Sequence, residues 1–340
     1  RNNGDWYFTL RLARDGTFGF IPQPLDVFSY APRAAAGNDH VSHNPRYSVL
    51  SYAYITGKLR RAGQAGPEMA GHYAAAGSYL MRLDRPIGSM LLMWPTLWAL
   101  WIAGNGAPSL KHIVIFVLGV FVMRAAGCVI NDFADRDYDG HVTRTRGRPL
   151  ATGALTARQA LMLFCALGLI ALVLVLFLNR FTLMLSFGGL GLAVLYPFTK
   201  RFTYLPQLFL GAAFSWAVPM AFAAETESVP EIAWLLYVAN VLWTVAYDTE
   251  YAMCDREDDL KVGIKSTAIL FGDLDKVMVG ALQVLTLVSL YILGQRLGFA
   301  LLWYLALAGM AACFIHQQWR IRYREPWPVF HSLLSNHGAR

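Results

Sequence analysis

Hydrophobic side chains dominate the chain from residue 87 onward, in runs long enough to form membrane-spanning helices. A helix needs about 20 apolar residues to cross the hydrocarbon core of a bilayer. We predict eight spans, near residues 87–103, 112–130, 160–178, 181–198, 206–224, 232–249, 277–294 and 298–318. The pattern therefore predicts an all-α protein, a polytopic bundle of transmembrane helices.

The two ends of the chain do not share this pattern. Residues 1–68 contain no long apolar run, and we expect them to be a disordered or non-native extension. Residues 69–325 are predicted to form the membrane domain. Residues 326–340 follow it as a short C-terminal tail without a further span.

The composition supports the membrane assignment. Of the 340 residues, 56% are hydrophobic and only 15% are charged, whereas soluble domains have about 25% charged residues. The net charge of +7 would suggest a nucleic-acid partner only if the basic residues shared one patch. They are scattered among short loops instead, so we predict no nucleic-acid partner.

Loop charges predict how the bundle is oriented. The loops after the odd-numbered spans carry three basic residues, and those after the even-numbered spans carry fourteen. Positive loops remain in the cytoplasm or its equivalent, so we expect the even loops on that side, with those after spans two and six capping a central cavity. The fourteen are Arg136, Arg144, Arg146, Arg148, Arg158, Lys200, Arg201, Arg256, Lys261, Lys265, Lys276, Arg320, Arg322 and Arg324.

An acidic cluster follows the second predicted span, in the sequence NDFADRDYD. Asn131, Asp135 and Asp139 are spaced i, i+4 and i+8, so a continuing helix would place their oxygens on one face. Asp132 and Asp137 point elsewhere on such a helix, although Asp132 could join the face from its flank.

A second acidic cluster follows the sixth predicted span, in the sequence YDTEYAMCDREDD, where Asp255 and Asp259 are spaced i and i+4. The loop charges place both clusters on one side of the membrane, where facing carboxylates would repel each other unless cations lay between them. Oxygen ligands of this kind suit Mg²⁺, which commonly binds through one or two carboxylates and substrate phosphates. The two clusters predict a magnesium-dependent diphosphate site; solvated acidic loops are the alternative.

Basic and aromatic residues near these clusters are candidates for holding a diphosphate. Tyr196 and Lys200 are spaced i and i+4 at the end of the fourth span, and Arg201 follows. Taken alone they are explained as interfacial anchors, but beside two metal sites they could neutralise a departing diphosphate. Arg124 lies two helical turns before Asn131, inside a span, where an arginine rarely lacks a partner. We predict that it binds the diphosphate or pairs with the aspartates.

These ordered motifs resemble those of the UbiA-type polytopic prenyltransferases. NDFADRDYD matches the family's NDxxDxxxD motif, YPFTK its YxxxK motif and DREDD its DxxxD motif, and the likeness covers about residues 79–325. Longer segments such as GHVTRTRGRPLATGAL are similar to the bacterial branch that prenylates 4-hydroxybenzoate in ubiquinone biosynthesis. The family pattern has nine spanning helices, of which eight are readable in this sequence.

The resemblance implies an enzyme that moves a polyprenyl group from polyprenyl diphosphate to the ring carbon ortho to the hydroxyl of 4-hydroxybenzoate. It implies Mg²⁺ as the cofactor and two sets of metal ligands. The first set is Asn131, Asp135 and Asp139, and the second is Asp255 and Asp259. It also implies a lipid bilayer around the protein, and no protein partner is predicted.

The resemblance further implies that Tyr196 and Lys200 contact the diphosphate, so that they join Asp135 and Asp255 as the expected catalytic residues. Arg201 is expected to engage the carboxylate of the acceptor.

The base that removes the ring proton is left open by the sequence. Asp248 and Glu250 are candidates by position alone. Asp248 is also a candidate for substrate binding, and it could equally orient the second metal cluster.

Three alternative functions compete with this interpretation. The acceptor could be another ring, such as a naphthoate, a homogentisate-like ring or a porphyrin. A CDP-alcohol phosphotransferase would carry its aspartates in one compact run, whereas here Asp139 and Asp255 are far apart in sequence. A cation transporter would place its carboxylates near the bilayer midplane, whereas these are predicted at one membrane surface.

We expect the protein to lie in the bacterial inner membrane, with its active site facing the cytoplasm, rather than in a mitochondrial membrane.

Overall fold

A computed structural model describes residues 67–84, 87–141 and 145–324, and within these ranges the chain forms helices and turns without a strand. The predicted extension lies almost wholly outside the described residues, and the predicted tail lies wholly outside them. The helices are α1 (Pro67–Leu80), α2 (Ile87–Ala103), α3 (Leu110–Asp135), α4 (Ala157–Leu176), α5 (Arg180–Thr199), α6 (Pro206–Ser215), α7 (Ala217–Thr226), α8 (Glu231–Val262), α9 (Thr267–Phe271), α10 (Asp275–Leu297) and α11 (Leu301–Ile321).

A helix or a helix pair lies at each of the eight predicted spans, and α1 is an additional helix that the hydrophobic pattern did not predict. Five helical segments are long and apolar enough to cross a membrane: Leu110–Asp135, Ala157–Leu176, Arg180–Thr199, Pro206–Thr226 and Thr267–Leu297. Helix α2 is apolar but shorter, with 17 residues. Helices α8 and α11 carry polar residues within their apolar stretches, so the count of eight remains a prediction.

The outward faces of the bundle are apolar. On α4 and α5, for example, Leu169, Leu176 and Phe187 are each more than half exposed. A bilayer, unlike water, solvates such a surface without cost. The chain is an integral membrane protein with an all-α fold.

The fifth predicted span is divided into two helices, whereas the sixth is one unbroken helix. The division lies at Trp216, between α6 and α7. The Trp216 indole nitrogen donates to the Leu185 carbonyl at 2.7 Å, and its ring packs directly on Gly188 and Gly189 of α5. Small residues at this contact allow the two helices to approach closely, as is common between membrane helices.

Helix α8 runs through the second acidic cluster without a break. It ends only at Gly263, which has φ of 76° and donates its N–H to the carbonyl of Asp259. Glycine is favoured at this left-handed position because it has no Cβ to clash. The helical spacing of Asp255 and Asp259 is therefore realised, and both lie on one face of α8.

Candidate functional site

The first acidic cluster forms around the side chain of Lys200, which follows the last residue of α5. The Lys200 ammonium lies 2.7 Å from Asp135 Oδ2 and 3.1 Å from Asn131 Oδ1, both on α3. Asn131 Nδ2 also donates to Asp135 Oδ2 at 3.3 Å. An amide oxygen and a carboxylate thus already surround one positive charge.

The same carboxylate determines the protonation of the lysine. Burial of the ammonium works to lower the pKa of Lys200, but the charge of Asp135 and its hydrogen bond outweigh this and hold the pKa above its usual value. The charged form of Lys200 is therefore favoured.

Asp139 does not continue the helical face of Asn131 and Asp135. The expectation of a continuing helix was wrong, because α3 ends at Asp135 and Asp139 opens a short 3₁₀ turn. In that turn Asp139 is buried and accepts from Arg148 at 2.9 and 3.0 Å. Burial raises the pKa of Asp139 to about 6, and Arg148 opposes that rise.

Asp132 joins this arrangement from the side, through arginines that the sequence did not connect to it. It is 1% exposed and accepts from Arg82 at 3.0 and 3.1 Å. Arg148 Nη1 lies 3.1 Å from Asp132 Oδ1, an oxygen that Arg82 also contacts, and so bridges Asp132 and Asp139. Buried carboxylates need such partners because an unpaired charge is costly away from water. The pairs fix the loop after α3 against α1 and α3.

Tyr196 connects this cluster with helix α8. Its ring centroid lies 5.7 Å from the Lys200 ammonium, one helical turn away on α5. Asp135 on α3 and Asp248 on α8 both lie near Tyr196. Three helices therefore contribute polar groups to one region of the bundle.

The second acidic cluster lies at the same end of the bundle as the first. The backbone N–H of Lys265, six residues after Asp259, donates to the carbonyl of Lys200 at 3.0 Å. The side chain of Lys200 reaches Asp135. Lys200 is thus bonded both to the first acidic cluster and to the loop that follows the second acidic cluster. Asp255 and Asp259 are half-buried on α8.

Arg201 lies at the rim of this region and is exposed. Its guanidinium donates to the carbonyl of Ala134 in the last turn of α3 and lies 5.6 and 5.5 Å from the ring centroids of Tyr138 and Phe198. Arginines commonly bind such terminal carbonyls. The contact holds the end of α3 beside the end of α5.

Arg124 lies deeper in the bundle. Within residues 67–84, 87–141 and 145–324 it forms no ion pair with an aspartate, so that half of the prediction is not seen in the described chain. One of its terminal nitrogens contacts Cys128, and its Nε is buried without a hydrogen-bond partner. A buried donor without a partner is costly, and an anionic substrate group would satisfy it.

Gly88 leaves room for this arginine. A Cβ at Gly88 would overlap with the Arg124 guanidinium, because α2 and α3 approach closely there. We expect Gly88→Ala to displace the guanidinium. The KM for the prenyl diphosphate donor that the motifs predict should then rise about tenfold or more, equivalent to about 1.4 kcal/mol of lost binding. Steady-state assays at varied donor concentration measure the effect. Gly119→Ala is the matched control, since its Cβ would meet open space in α3; equal kinetics in both variants would contradict the role of Arg124.

Glu250 does not face the acidic clusters. It is fully buried, and its Oε1 accepts from Gln283 of α10 at 3.3 Å. Asp248 lies two residues earlier, about 200° away around the helix, on the side of Tyr196. The structure therefore removes Glu250 as a candidate base by position and leaves Asp248.

The oxygens of this region suit a metal ion that is bound partly by the protein and partly by substrate phosphates, rather than one bound by the protein alone. In the described part of the chain, no three His, Cys, Asp or Glu side chains are close enough together to hold an ion alone. Asn131 and Asp135 nevertheless present oxygens to a common cation, Lys200 Nζ. Mg²⁺ typically needs only one or two carboxylates when substrate phosphates complete its shell. The donor set is of that type.

Comparison with known proteins finds relatives that match most of the chain. The chain is 74% identical over 260 residues to a 4-hydroxybenzoate octaprenyltransferase of Alcanivorax borkumensis, across 76% of this chain and 90% of that protein. It is 59% identical to proteins with the same description from Ectopseudomonas mendocina and Pseudomonas aeruginosa, across 76% of this chain and 88% of each relative.

Solved structures share the fold. A UbiA homolog from Aeropyrum pernix superposes with a TM-score of 0.66 at 26% identity, covering 75% of this chain and 94% of that one. A UbiA homolog from Archaeoglobus fulgidus bound to GPP and Mg²⁺ has a TM-score of 0.60 at 18% identity, covering 77% and 98%. Residues 92–336 match the UbiA prenyltransferase family. The chain belongs to the UbiA prenyltransferase family.

Proposed function

We propose that this protein transfers a polyprenyl group from polyprenyl diphosphate to the ring carbon ortho to the hydroxyl of 4-hydroxybenzoate. The observation that carries the proposal is the 74% identity to a 4-hydroxybenzoate octaprenyltransferase over 90% of that relative's length. The polar region formed by α3, α5 and α8 supports it, because a diphosphate needs cations and hard oxygen ligands at one place. The product would be an early membrane intermediate of ubiquinone biosynthesis.

The donor would bind with its diphosphate at the acidic end of the bundle and its tail among the apolar helices. Asn131, Asp135 and Asp139 on one side and Asp255 and Asp259 on the other would hold Mg²⁺. When bound there, Mg²⁺ would neutralise the charge that develops on the leaving diphosphate. For Asp139 this requires Arg148 to release the carboxylate it now holds.

Lys200 and Tyr196 would assist departure of the diphosphate. Preorganised charges near a developing anion are usually the largest contribution to catalysis. The Lys200 ammonium lies beside Asn131 and Asp135, and Mg²⁺ bound to their oxygens would leave it free to interact with the phosphate oxygens next to them. Arg124, with its unsatisfied Nε, would bind a further oxygen of the same group.

Transfer then joins two carbons. The bond between the allylic carbon and the diphosphate oxygen breaks, and the ring carbon ortho to the acceptor hydroxyl forms the new bond. The ring proton at that carbon leaves to a base. We propose Asp248 as this base, because it lies near Tyr196, on the face of α8 opposite Glu250.

The location follows from the loop charges. The even-numbered loops carry most of the basic residues and also both acidic clusters. The positive-inside rule therefore supports an active site that faces the cytoplasm, and the bacterial relatives support the inner membrane.

Mass spectrometry of the product tests the proposal. Membranes containing the protein are incubated with 4-hydroxybenzoate, octaprenyl diphosphate and Mg²⁺, and we expect a product whose mass equals the acceptor plus the prenyl group less one hydrogen. Excess EDTA should abolish it. Absence of this product, together with prenylation of a naphthoate or homogentisate supplied in parallel, would refute the acceptor assignment.

Arg201 is proposed to engage the carboxylate of the acceptor. We expect Arg201→Ala to raise the KM for 4-hydroxybenzoate about tenfold and the KM for the donor much less, because loss of one binding contact raises KM without a matching loss of kcat. Equal effects on both substrates would remove this role and leave the Ala134 carbonyl as the functional partner of Arg201. Arg136→Ala is the control, an arginine that stacks on Phe133 near the same helix end.

A further inference from the structure

A buried polar layer lies between α8, α10 and α11, on the side of α8 away from the acidic clusters. Glu250 is 0% exposed, Gln283 is 3% exposed and Gln317 is 1% exposed. The side-chain nitrogen of Gln283 donates two hydrogen bonds, to Glu250 Oε1 at 3.3 Å and to Gln317 Oε1 at 2.9 Å. Three helices are therefore connected through one amide group.

The surroundings of this layer are apolar. Ala246 and Met253 lie one turn before and one turn after Glu250 on the same face of α8, and they pack with Val279 of α10 and Ile321 of α11. Polar groups in such surroundings are costly unless every partner is in place. The layer therefore has one favourable arrangement of the three helices, whereas the apolar contacts alone would tolerate sliding and rotation.

The acidic residues of α8 lie on the opposite face. At about 100° per residue, Asp248, Asp255 and Asp259 point about 140–180° away from Glu250. They are half-buried, whereas Glu250 is fully buried. Rotation of α8 by one residue would move Glu250 out of reach of Gln283 and would turn the aspartates away from the Lys200 side of the bundle.

We propose that Glu250 is a positioning residue: its hydrogen bond to Gln283 fixes the rotation of α8 and thereby aims Asp255 and Asp259 at the metal-diphosphate site. The proposal rests on the function proposed above and concerns a residue that does not touch the substrate. It explains why a carboxyl group lies fully buried between three helices, where a polar group is costly unless it is hydrogen-bonded. The hydrogen bond requires an acceptor oxygen at this position, and it does not require a charge.

The test compares Glu250→Gln, which keeps an acceptor oxygen, with Glu250→Leu, which removes it. Purified protein is titrated with Mg²⁺ in the presence of geranylgeranyl thiodiphosphate, a donor that does not react, and binding is followed as a rise in the thermal unfolding temperature. We expect Glu250→Leu to raise the half-saturating Mg²⁺ concentration about tenfold or more, as supporting partners of metal ligands typically do. For Glu250→Gln we expect a half-saturating Mg²⁺ concentration within about twofold of the wild-type value, well below the change caused by loss of a supporting partner.

Two further variants make the result specific. Gln283→Leu removes the hydrogen bond from the α10 side and should shift the Mg²⁺ titration in the same direction, so the proposal remains testable if Glu250→Leu does not fold. Thr286→Val is the matched control: Thr286 is buried one turn further along α10 and bonds to the carbonyl of Leu282 in its own helix. It should leave the titration unchanged.

Two results would overturn the proposal. A lower unfolding temperature in Glu250→Leu and Gln283→Leu with an unchanged Mg²⁺ titration would show a purely structural role. Loss of turnover in Glu250→Gln with normal Mg²⁺ binding would show a proton-transfer role. Failure of the proposed function is separate, because it would appear as a wild-type protein that binds Mg²⁺ and thiodiphosphate but yields no prenylated 4-hydroxybenzoate.

Discussion

Asp135→Ala is expected to lower kcat by about 10³-fold or more, the upper end of what loss of one charge-stabilising group costs. The change removes the carboxylate that accepts from both Lys200 and Asn131, so a metal ligand and the partner of a catalytic cation are lost together. Asp255→Ala should have an effect of similar size from the α8 side. Initial rates with labelled prenyl diphosphate and 4-hydroxybenzoate, taken across a range of Mg²⁺ concentrations, measure both.

Neighbouring acidic residues are the controls for this pair. Asp137 is exposed and pairs with Arg136, and Glu257 is exposed on α8. Alanine at either position should leave the rate nearly unchanged. Full turnover of Asp135→Ala or Asp255→Ala at saturating Mg²⁺ would end the proposal of two cooperating clusters.

Lys200→Met is expected to lower kcat by about 10²–10³-fold. Methionine keeps much of the length of the side chain but removes the ammonium that would neutralise the leaving diphosphate. The folded protein should change less, because Asp135 retains the amide of Asn131 as a donor. Single-turnover measurements at saturating donor separate this loss of chemistry from weaker binding.

Lys265→Met is the matched control, since Lys265 is a half-buried lysine in the loop beside Lys200. Its side chain donates to the carbonyl of Phe202, so its removal should affect neither substrate. A normal kcat in Lys200→Met, with only a higher KM for the donor, would show that the ammonium contributes to ground-state binding and not to departure of the diphosphate.

Helical spacing predicted correctly which residues of the second acidic cluster share a helix face. Asp255 and Asp259 lie on one face because α8 is unbroken to Val262, and a periodic sequence is sufficient to predict that. The same reasoning was wrong for Asp139, because α3 ends four residues earlier. Where a helix ends depends on partners for its last carbonyls, and here Arg201 supplies one from the turn after α5.

Arg82 is the residue of this region that sequence reasoning did not identify. Fifty positions separate it from Asp132, and no spacing rule connects residues so far apart. Its signal in the sequence was weak: an arginine just before the first span is expected anyway as a membrane anchor. The order of residues along one helix is local information, whereas the pairing of buried charges depends on which helices are neighbours.

The sequence by itself determined the class of fold, the positions of the eight apolar helical regions, the motifs and the kind of ligand that two sets of carboxylates require. These follow from hydrophobicity, helical periodicity and the preference of oxygen for hard cations. Only the tertiary structure decided which groups meet: Lys200 between Asn131 and Asp135, Arg148 between Asp132 and Asp139, and Glu250 turned toward Gln283. The physical reason is that a buried polar group must find its partner in three dimensions, on whatever helix packs beside it.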